Sequence, residues 1–176
     1  NCIYVMLTEN KKMQKITYDG DVVNEISFSS DCWPNCCLPV SDGIFVFLSK
    51  KRPYSKSKIL FLDFSFHQIW SYNCFDNDEI HSPFFLDGYL YWCRSNWNGV
   101  VRASINSKLK DIEKIILNYD GYTRGLFLYD KNIVLGTSSN RHKENSNCQA
   151  NLNHAVLHFY DQSFMITNKI DIIEEK

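Results

Sequence analysis

The sequence predicts an all-β fold, a β-propeller of about four blades in which each blade is a sheet of four antiparallel strands. A strand–turn–strand phrase occurs three times, and its turn aspartates Asp42, Asp87 and Asp130 stand 45 and 43 residues apart. The strand after each turn is an uninterrupted apolar run, whereas later strands such as residues 68–72 and 166–172 alternate between apolar and polar residues. Inner strands of a blade are covered on both faces and the outermost strand meets solvent, so this gradient favours a propeller.

A β-sandwich or an unrelated barrel is the competing interpretation. Strands of a sandwich alternate more cleanly and need no fixed repeat, whereas the spacing found here is close to the roughly 40 to 50 residues of blade repeats. Residues 106–116 carry the one hint of a helix, and their apolar spacing suits a strand equally well.

The predicted blades form a single domain over residues 1–176. The first blade is partial, because its three apolar runs match only the second, third and fourth strands of a blade. Either the chain is a four-bladed ring that lacks one strand, or it belongs to a larger ring of about six or seven blades. We expect a fragment of a longer chain, because an open arc exposes two apolar blade faces and residue 1 is not methionine. The blades are expected at residues 2–30, 35–75, 80–119 and 121–172.

The turns between the first two strands of each blade have hairpin chemistry. Asp42-Gly43 and Asp87-Gly88 stand between apolar runs, where Asp-Gly favours a type I′ turn with two residues at positive φ. In the third copy Lys131-Asn132 replaces the glycine, and we expect the asparagine to take the left-handed conformation.

Composition and charge exclude several classes of protein. The chain is 44% apolar and 15% aromatic, which predicts a packed core. Its 19 basic and 20 acidic residues nearly cancel, so neither nucleic acid nor an anionic membrane is an expected partner. No apolar run reaches the roughly 18 residues of a membrane span, and no signal peptide is recognised. The basic stretch Lys50–Lys58 is interpreted as a solvated hairpin loop.

The seven cysteines are odd in number and show no paired framework. Several lie inside apolar runs, where a thiol packs as a small hydrophobic group, so we expect reduced thiols and a cytoplasmic protein. The only cluster is Cys32, Cys36 and Cys37, which lacks the short paired spacings of a closed zinc site. The sequence therefore predicts no metal and no cofactor.

One part of the chain resembles a known family. The phrase Gly-Tyr-Thr-Arg-Gly-Leu at residues 121–126, followed by a strand that ends in Leu-Gly-Thr-Ser and an arginine at 141, resembles a mostly bacterial family of propeller-like proteins of unknown function. His81-Ser-Pro83 is similar to the segment that precedes this phrase in the family, so the likeness covers roughly residues 81–141. The resemblance implies a propeller fold and a partial ring, since full-length members are about twice as long. It implies no activity, because the family has none that is settled.

Candidate binding residues come from the starts of the blades. First strands line the central channel of a propeller, and the loops before them build its usual binding surface. Arg124 stands between Thr123 and Gly125, and a buried arginine there needs either backbone carbonyls of the next blade or an anionic ligand. We predict a ligand-binding rim made of five residues, namely His81, Trp92, Arg124, Ser138 and Arg141.

Two functions from different classes fit this rim. The first is a non-catalytic propeller module that binds a protein partner or a polar or anionic ligand, a saccharide among them. The alternative is a propeller hydrolase, lactonase or lyase in which His81 or Glu79 acts as the base and Arg124 holds a carboxylate. The chain contains no Gly-x-Ser-x-Gly, His-Glu-x-x-His or phosphate-loop phrase, so no catalytic residues are assigned.

Overall fold

The structure, a computed structural model, describes residues 2–50, 56–74, 80–95, 99–116, 122–138 and 155–172. Within these ranges the regular elements are fifteen β-strands, which confirms the predicted all-β class. The strands are β1 (Cys2–Leu7), β2 (Lys12–Thr17), β3 (Val22–Ser27), β4 (Cys32–Val40), β5 (Gly43–Lys50), β6 (Lys58–Leu62), β7 (Gln68–Asn73), β8 (Ile80–Leu86), β9 (Tyr89–Arg94), β10 (Gly99–Ser104), β11 (Ile112–Ile116), β12 (Tyr122–Tyr129), β13 (Asn132–Ser138), β14 (Ala155–Tyr160) and β15 (Ile166–Ile172).

The strands form four sheets in which sequence neighbours lie side by side. The sheet orders are β1-β2-β3, β4-β5-β6-β7, β8-β9-β10-β11 and β12-β13-β14-β15. Each sheet is a meander of consecutive strands, and the strand pairs run antiparallel. The segment with the hint of a helix is a turn followed by strand β11, as its alternative interpretation predicted.

The chain divides into two compact units, Asn1–Ile80 and His81–Lys176. The first unit contains the three-stranded sheet and the sheet β4–β7, together with the first residue of β8. The second unit contains the rest of β8 and all later strands.

In the first unit the core lies between the two sheets. Met13 from β2 packs with residues from β5 and β6, and Tyr4 and Met6 of β1 cover the edge of this cluster. The opposite face of β5 carries an aromatic group in which Phe45 lies 4.8 Å from Phe61, and Phe61 lies 5.3 Å from Trp70, between ring centroids. Both faces of β5 are therefore covered.

The core of the second unit is built the same way. Tyr91 and Cys93 of β9 pack against Leu126 of β12 and Leu135 of β13. The Phe84 ring of β8 stacks on Tyr91 with centroids 4.6 Å apart. These contacts join the two sheets of the unit through their inner strands.

Burial is greatest in the second strand of each four-stranded sheet and falls from there to the outermost strand, as the apolar pattern of the sequence predicted. Described side chains of β5, β9 and β13 are mostly buried, whereas every residue of β15 is exposed. Because apolar side chains on both sides of a strand must be kept from water, this gradient requires that inner strands be covered on both faces.

The turns follow the predicted chemistry in one copy and depart from it in two. Asp87 and Gly88 have φ of 50° and 82°, as expected of a type I′ turn. In the third copy the pair is Asp130 and Lys131, with φ of 44° and 64°, so the lysine takes the left-handed conformation that was predicted for Asn132. In the first copy neither Asp42 nor Gly43 has a positive φ, and the prediction of a type I′ turn there was wrong.

The described part of the chain contains no helix with the length and apolarity needed to cross a bilayer.

Candidate functional site

Arg124 occupies a β-bulge near the start of β12. Thr123 pairs with Thr137 and Gly125 pairs with Gly136, so Arg124 is an extra residue with no partner on β13. A bulge redirects the side chain of the extra residue, and the Arg124 side chain is exposed. The arginine that the sequence singled out is therefore presented at the surface by an irregularity of the strand.

Two serines of the preceding sheet hold the backbone at this bulge. The hydroxyl of Ser82 in β8 donates to the carbonyl of Arg124, and the hydroxyl of Ser95, just after β9, donates to the carbonyl of Thr123. Ser95 and Thr123 are fully buried. Since the bulge leaves backbone groups outside the sheet ladder, these two hydrogen bonds satisfy carbonyls that would otherwise be unpaired.

The guanidinium of Arg124 rests on an aromatic ring. Its Cζ lies 5.1 Å from the centroid of the Tyr122 ring, a cation–π distance. Arg102 provides a comparison inside the same unit, with its Cζ 5.2 Å from the Tyr89 ring. Arg102 also donates from Nε to the Glu113 carboxylate at 3.0 Å. In the described ranges Arg124 makes no such ion pair, so its charge faces solvent with only the ring beneath it.

The structure brings three of the five predicted rim residues together. His81 directly precedes Ser82, which contacts Arg124, and Ser138 pairs with Tyr122 across the β12–β13 ladder. His81, Arg124 and Ser138 are thus brought to one end of neighbouring strands, and both His81 and Ser138 are half-buried.

Trp92 and Arg141 are not part of that group. Trp92 lies in the interior of β9 with 1% of its surface exposed, and its Nε1 has no hydrogen-bond partner among the described residues. Arg141 lies outside the described residues, as does Glu79, the proposed base of the alternative function. The binding roles of Trp92 and Arg141, and the role of Glu79 as a base, stay predictions.

The bulge recurs at equivalent positions along the chain. Asn35, His81 and Arg124 each stand six residues before the first residue of their hairpin turn, and Asn35 is the extra residue of a second bulge, between Pro34 and Cys36. The carbonyl just before each of the three positions accepts a side-chain hydrogen bond from the preceding sheet. The donors are Thr8 to Pro34 at 2.9 Å, Asn35 to Ile80 at 2.7 Å, and Ser95 to Thr123.

Sequence reasoning missed the donor Ser95, although a signal was present. Ser49, Ser95 and Ser138 each follow the first turn residue of their hairpin by eight positions, so a hydroxyl recurs at or just after the end of the second strand of each four-stranded sheet. Ser95 donates to Thr123, and Ser49 accepts from Asn35 at 3.3 Å. A hydroxyl repeated at the end of an apolar run indicates a buried hydrogen bond, because an unsatisfied hydroxyl there is costly.

A second polar group is buried in the sheet β12–β15. Thr137 lies 3.3 Å through its Oγ1 from Nε2 of His158, and both side chains are buried. Burial lowers the pKa of His158, the charge of Lys169 lowers it further, and Asp171 opposes them. His158 is therefore a neutral residue of the core.

This histidine makes the stability of the chain depend on pH. The folded-state pKa of His158 is lower than the value of about 6.5 in an unfolded chain. Below pH 6.5 the unfolded chain takes up a proton that the folded chain does not, so stability falls as pH decreases, by at most about 1.4 kcal/mol per pH unit. Urea unfolding at several pH values between 7.5 and 5 measures this loss. We expect a smaller loss in His158→Gln, and an unchanged loss would show that other groups cause it.

The cysteine cluster of the sequence is placed in β4. Burial raises the pKa of the Cys37 thiol to about 11, and burial also raises the pKa of Cys32. At neutral pH these thiols stay protonated, which makes them weak nucleophiles and weak metal ligands.

Comparison with known proteins identifies the fold. No protein-family model and no curated protein matches the chain. Streptogramin B lyase superposes with a TM-score of 0.61 at 14% identity, over 98% of this chain and 65% of that one. The Dos1 propeller gives 0.59 at 9% identity over 97% and 44%, and BamB from Moraxella catarrhalis gives 0.51 at 10% identity over 97% and 61%. This chain spans less than two thirds of each of the three.

The chain has a β-propeller fold, with its four sheets as blades, and the fold class predicted from the sequence is confirmed. At these identities the likeness shows the fold alone, and propellers of one architecture serve unrelated functions. The family signature at residues 121–126 stays a prediction.

Proposed function

We propose that the chain is a non-catalytic propeller binding module that recognises a carboxylate group of its partner or ligand through Arg124. A carboxylate on an acidic peptide or a sugar acid has the required chemistry. Guanidinium groups bind carboxylates through paired, charge-assisted hydrogen bonds that a lysine cannot reproduce.

The observation that carries this proposal is the contrast between Arg124 and Arg102. Both lie over a tyrosine ring at nearly the same distance, but Arg102 is neutralised by Glu113. Arg124 is exposed on a bulge that Ser82 and Ser95 hold in place. An arginine oriented in this way keeps its donors available and loses little conformational freedom on binding.

His81 and Ser138 are the residues we propose as further donors around the bound carboxylate. His81 precedes Ser82, whose hydroxyl donates to the Arg124 carbonyl, and Ser138 pairs with Tyr122, two residues before Arg124. A histidine and a hydroxyl can both donate hydrogen bonds to an oxyanion.

Substitution of Arg124 tests the proposal. We expect an acidic peptide or glucuronate to bind the wild-type chain in calorimetry, and Arg124→Ala to weaken that binding at least about tenfold, since hydrogen bonds to charged groups contribute about 1.5–3 kcal/mol. Arg124→Lys is expected to lose most of the affinity as well, because it keeps the charge but not the planar pair of donors.

Arg102→Ala is the matched control, since it removes an arginine that also lies on a tyrosine but already has a carboxylate. We expect it to bind the probes like the wild type. Equal binding by wild type and Arg124→Ala would overturn the proposed site, as would an equal loss in Arg102→Ala.

We also infer that the protein works in a reducing compartment and propose the cytoplasm. Support comes from the six cysteines in the described ranges, none of which forms a disulfide.

A further inference from the structure

Ser82 has a backbone conformation that its own sequence opposes. Its φ is 47°, in the left-handed region that few residues other than glycine and asparagine adopt readily. The next residue is Pro83, and a residue before proline is confined mainly to extended conformations. Ser82 is therefore a strained position within strand β8, and such strain persists only where the surrounding structure enforces it.

The propeller fold does not require this conformation. Ser82 stands five residues before the first residue of its hairpin turn, and Cys36 and Gly125 stand at the same distance from theirs. Neither Cys36 nor Gly125 has a positive φ. Strands β4 and β12 thus pass this point without a left-handed residue, so a reason for the strain must be sought in the surroundings of Ser82 itself.

The strained serine contacts the bulge of the proposed ligand-binding residue. The Ser82 hydroxyl donates to the carbonyl of Arg124, which is the extra residue of that bulge. The extra residue of a bulge is left unpaired in the ladder of its own sheet, so this hydrogen bond from the preceding sheet helps to fix the backbone that carries the Arg124 side chain.

The same residue also orients His81, which directly precedes it. The φ of Ser82 sets the direction of the peptide group that joins the two residues, because φ and ψ are the only soft torsion angles of the backbone. One residue therefore relates the backbone positions of His81 and Arg124, two of the three residues proposed to bind the carboxylate.

Ser95 shows that support of the bulge does not by itself need strain. Its hydroxyl donates to the neighbouring carbonyl, that of Thr123, from a fully buried position and with no positive φ. The preceding sheet thus reaches the Thr123 carbonyl in an ordinary conformation and the Arg124 carbonyl in a strained one. Strained backbone of this kind is typical of ligand-binding sites, where it maintains an arrangement that the ligand requires.

We propose that Ser82 is the positioning residue of the Arg124 site, and that its left-handed conformation and its hydroxyl together hold His81 and Arg124 in the arrangement that binds a carboxylate. This inference rests on the function proposed for Arg124 and names the residue that sets the affinity of that site. Groups held in their binding geometry before the ligand arrives lose less freedom on binding, so the strain raises affinity at the expense of stability.

Three substitutions at residue 82 separate the conformation from the hydroxyl. Ser82→Gly tolerates a positive φ but has no donor, Ser82→Ala lacks the donor and disfavours a positive φ, and Ser82→Asn tolerates a positive φ and carries a side-chain N–H. In calorimetry with glucuronate we expect Ser82→Gly to weaken binding about fivefold, the effect of one hydrogen bond between uncharged groups. Ser82→Ala is expected to weaken it at least about tenfold, and Ser82→Asn to stay within about threefold of the wild type.

The NMR signal of the Arg124 Nε–H reports the arrangement without any ligand. The Arg124 Cζ lies 5.1 Å from the centroid of the Tyr122 ring, so the ring current shifts this signal. We expect the signal to move toward that of an exposed arginine in Ser82→Ala and to keep its position in Ser82→Asn. Ser107→Ala is the matched control, because the Ser107 hydroxyl donates to the Ser104 carbonyl at 3.1 Å within the same sheet, and we expect it to change neither the signal nor the affinity.

The outcomes distinguish this inference from the proposed function. Wild-type affinity and an unmoved Nε–H signal in Ser82→Ala would overturn the positioning role and leave the function of Arg124 intact, as would an equal loss in Ser107→Ala. If Ser82→Ala does not fold, equal affinities of Ser82→Gly and Ser82→Asn overturn it instead. Absence of glucuronate and acidic-peptide binding by the wild type refutes the proposed function, and the Nε–H signal then decides the positioning role alone: a moved signal supports it and an unmoved one refutes it.

Discussion

Replacing Trp92 by alanine is expected to lower the free energy of unfolding by about 4 kcal/mol. The indole is the largest of the fully buried side chains and lies in the middle of β9, so its removal leaves a cavity that rigid neighbouring strands cannot fill. Urea or guanidinium unfolding measures the loss.

Trp33→Ala is the matched control, because Trp33 is 42% exposed and contacts solvent along β4. We expect it to cost less than about 1 kcal/mol. An equally small loss in Trp92→Ala would contradict the placement of Trp92 in the core.

Trp92→Phe separates this structural role from the predicted contact with a ligand. The phenyl ring keeps much of the volume and removes a buried N–H that has no partner in the described residues, so a loss of about 2 kcal/mol or less is expected. If this folded variant binds the carboxylate probes like the wild type, Trp92 acts only in packing. A tenfold weaker affinity would place the indole in the binding site.

Gly43→Ala is expected to destabilise the chain by about 3 kcal/mol. A Cβ on Gly43 would lie 2.8 Å from the Phe61 ring and within 3.0 Å of the Leu62 carbonyl oxygen. Gly43 pairs with Val40 at the tight end of the β4–β5 hairpin, and β6 runs directly beside it, so the backbone of β6 would have to move. Thermal and chemical unfolding of the purified variant measure the effect.

Gly88→Ala provides the comparison at the corresponding turn. Gly88 has a φ of 82° and no atom within 4 Å of an added Cβ, so only the backbone conformation opposes the substitution. A left-handed alanine costs about 1–2 kcal/mol. Gly43→Ala should therefore be the more damaging of the two, and the reverse order would show that turn conformation matters more than space at Gly43.

The two glycines show how far sequence reasoning reaches at a turn. Both stand in an Asp-Gly pair between apolar runs, and the same type I′ turn was predicted for both. The prediction is right at Gly88 and wrong at Gly43, where the glycine makes room for β6. Local sequence describes the conformation that a residue tolerates, but the neighbour that crowds it comes from another strand.

The candidate site was foreseen in part for the same reason. The glycine-flanked arginine drew attention to Arg124, and the repeat placed His81 and Ser138 near it. Nothing local indicated that Arg124 is the extra residue of a bulge, or that Ser82 holds that bulge from the preceding sheet. Trp92 stands inside an apolar run that predicts a strand covered on both faces, and its 1% exposure agrees with that pattern.

The sequence alone determines that the protein is a repeat of antiparallel blades whose inner strands are covered and whose outermost strands are exposed to solvent. Periodic spacing and apolar patterning are visible in the sequence of each blade, so they can be recognised without knowing any contact between residues that are distant in the chain. Tertiary structure decided which residues are exposed at the blade starts and where bulges occur. These features depend on hydrogen bonds and packing between residues that are distant in sequence, so only the folded chain defines them.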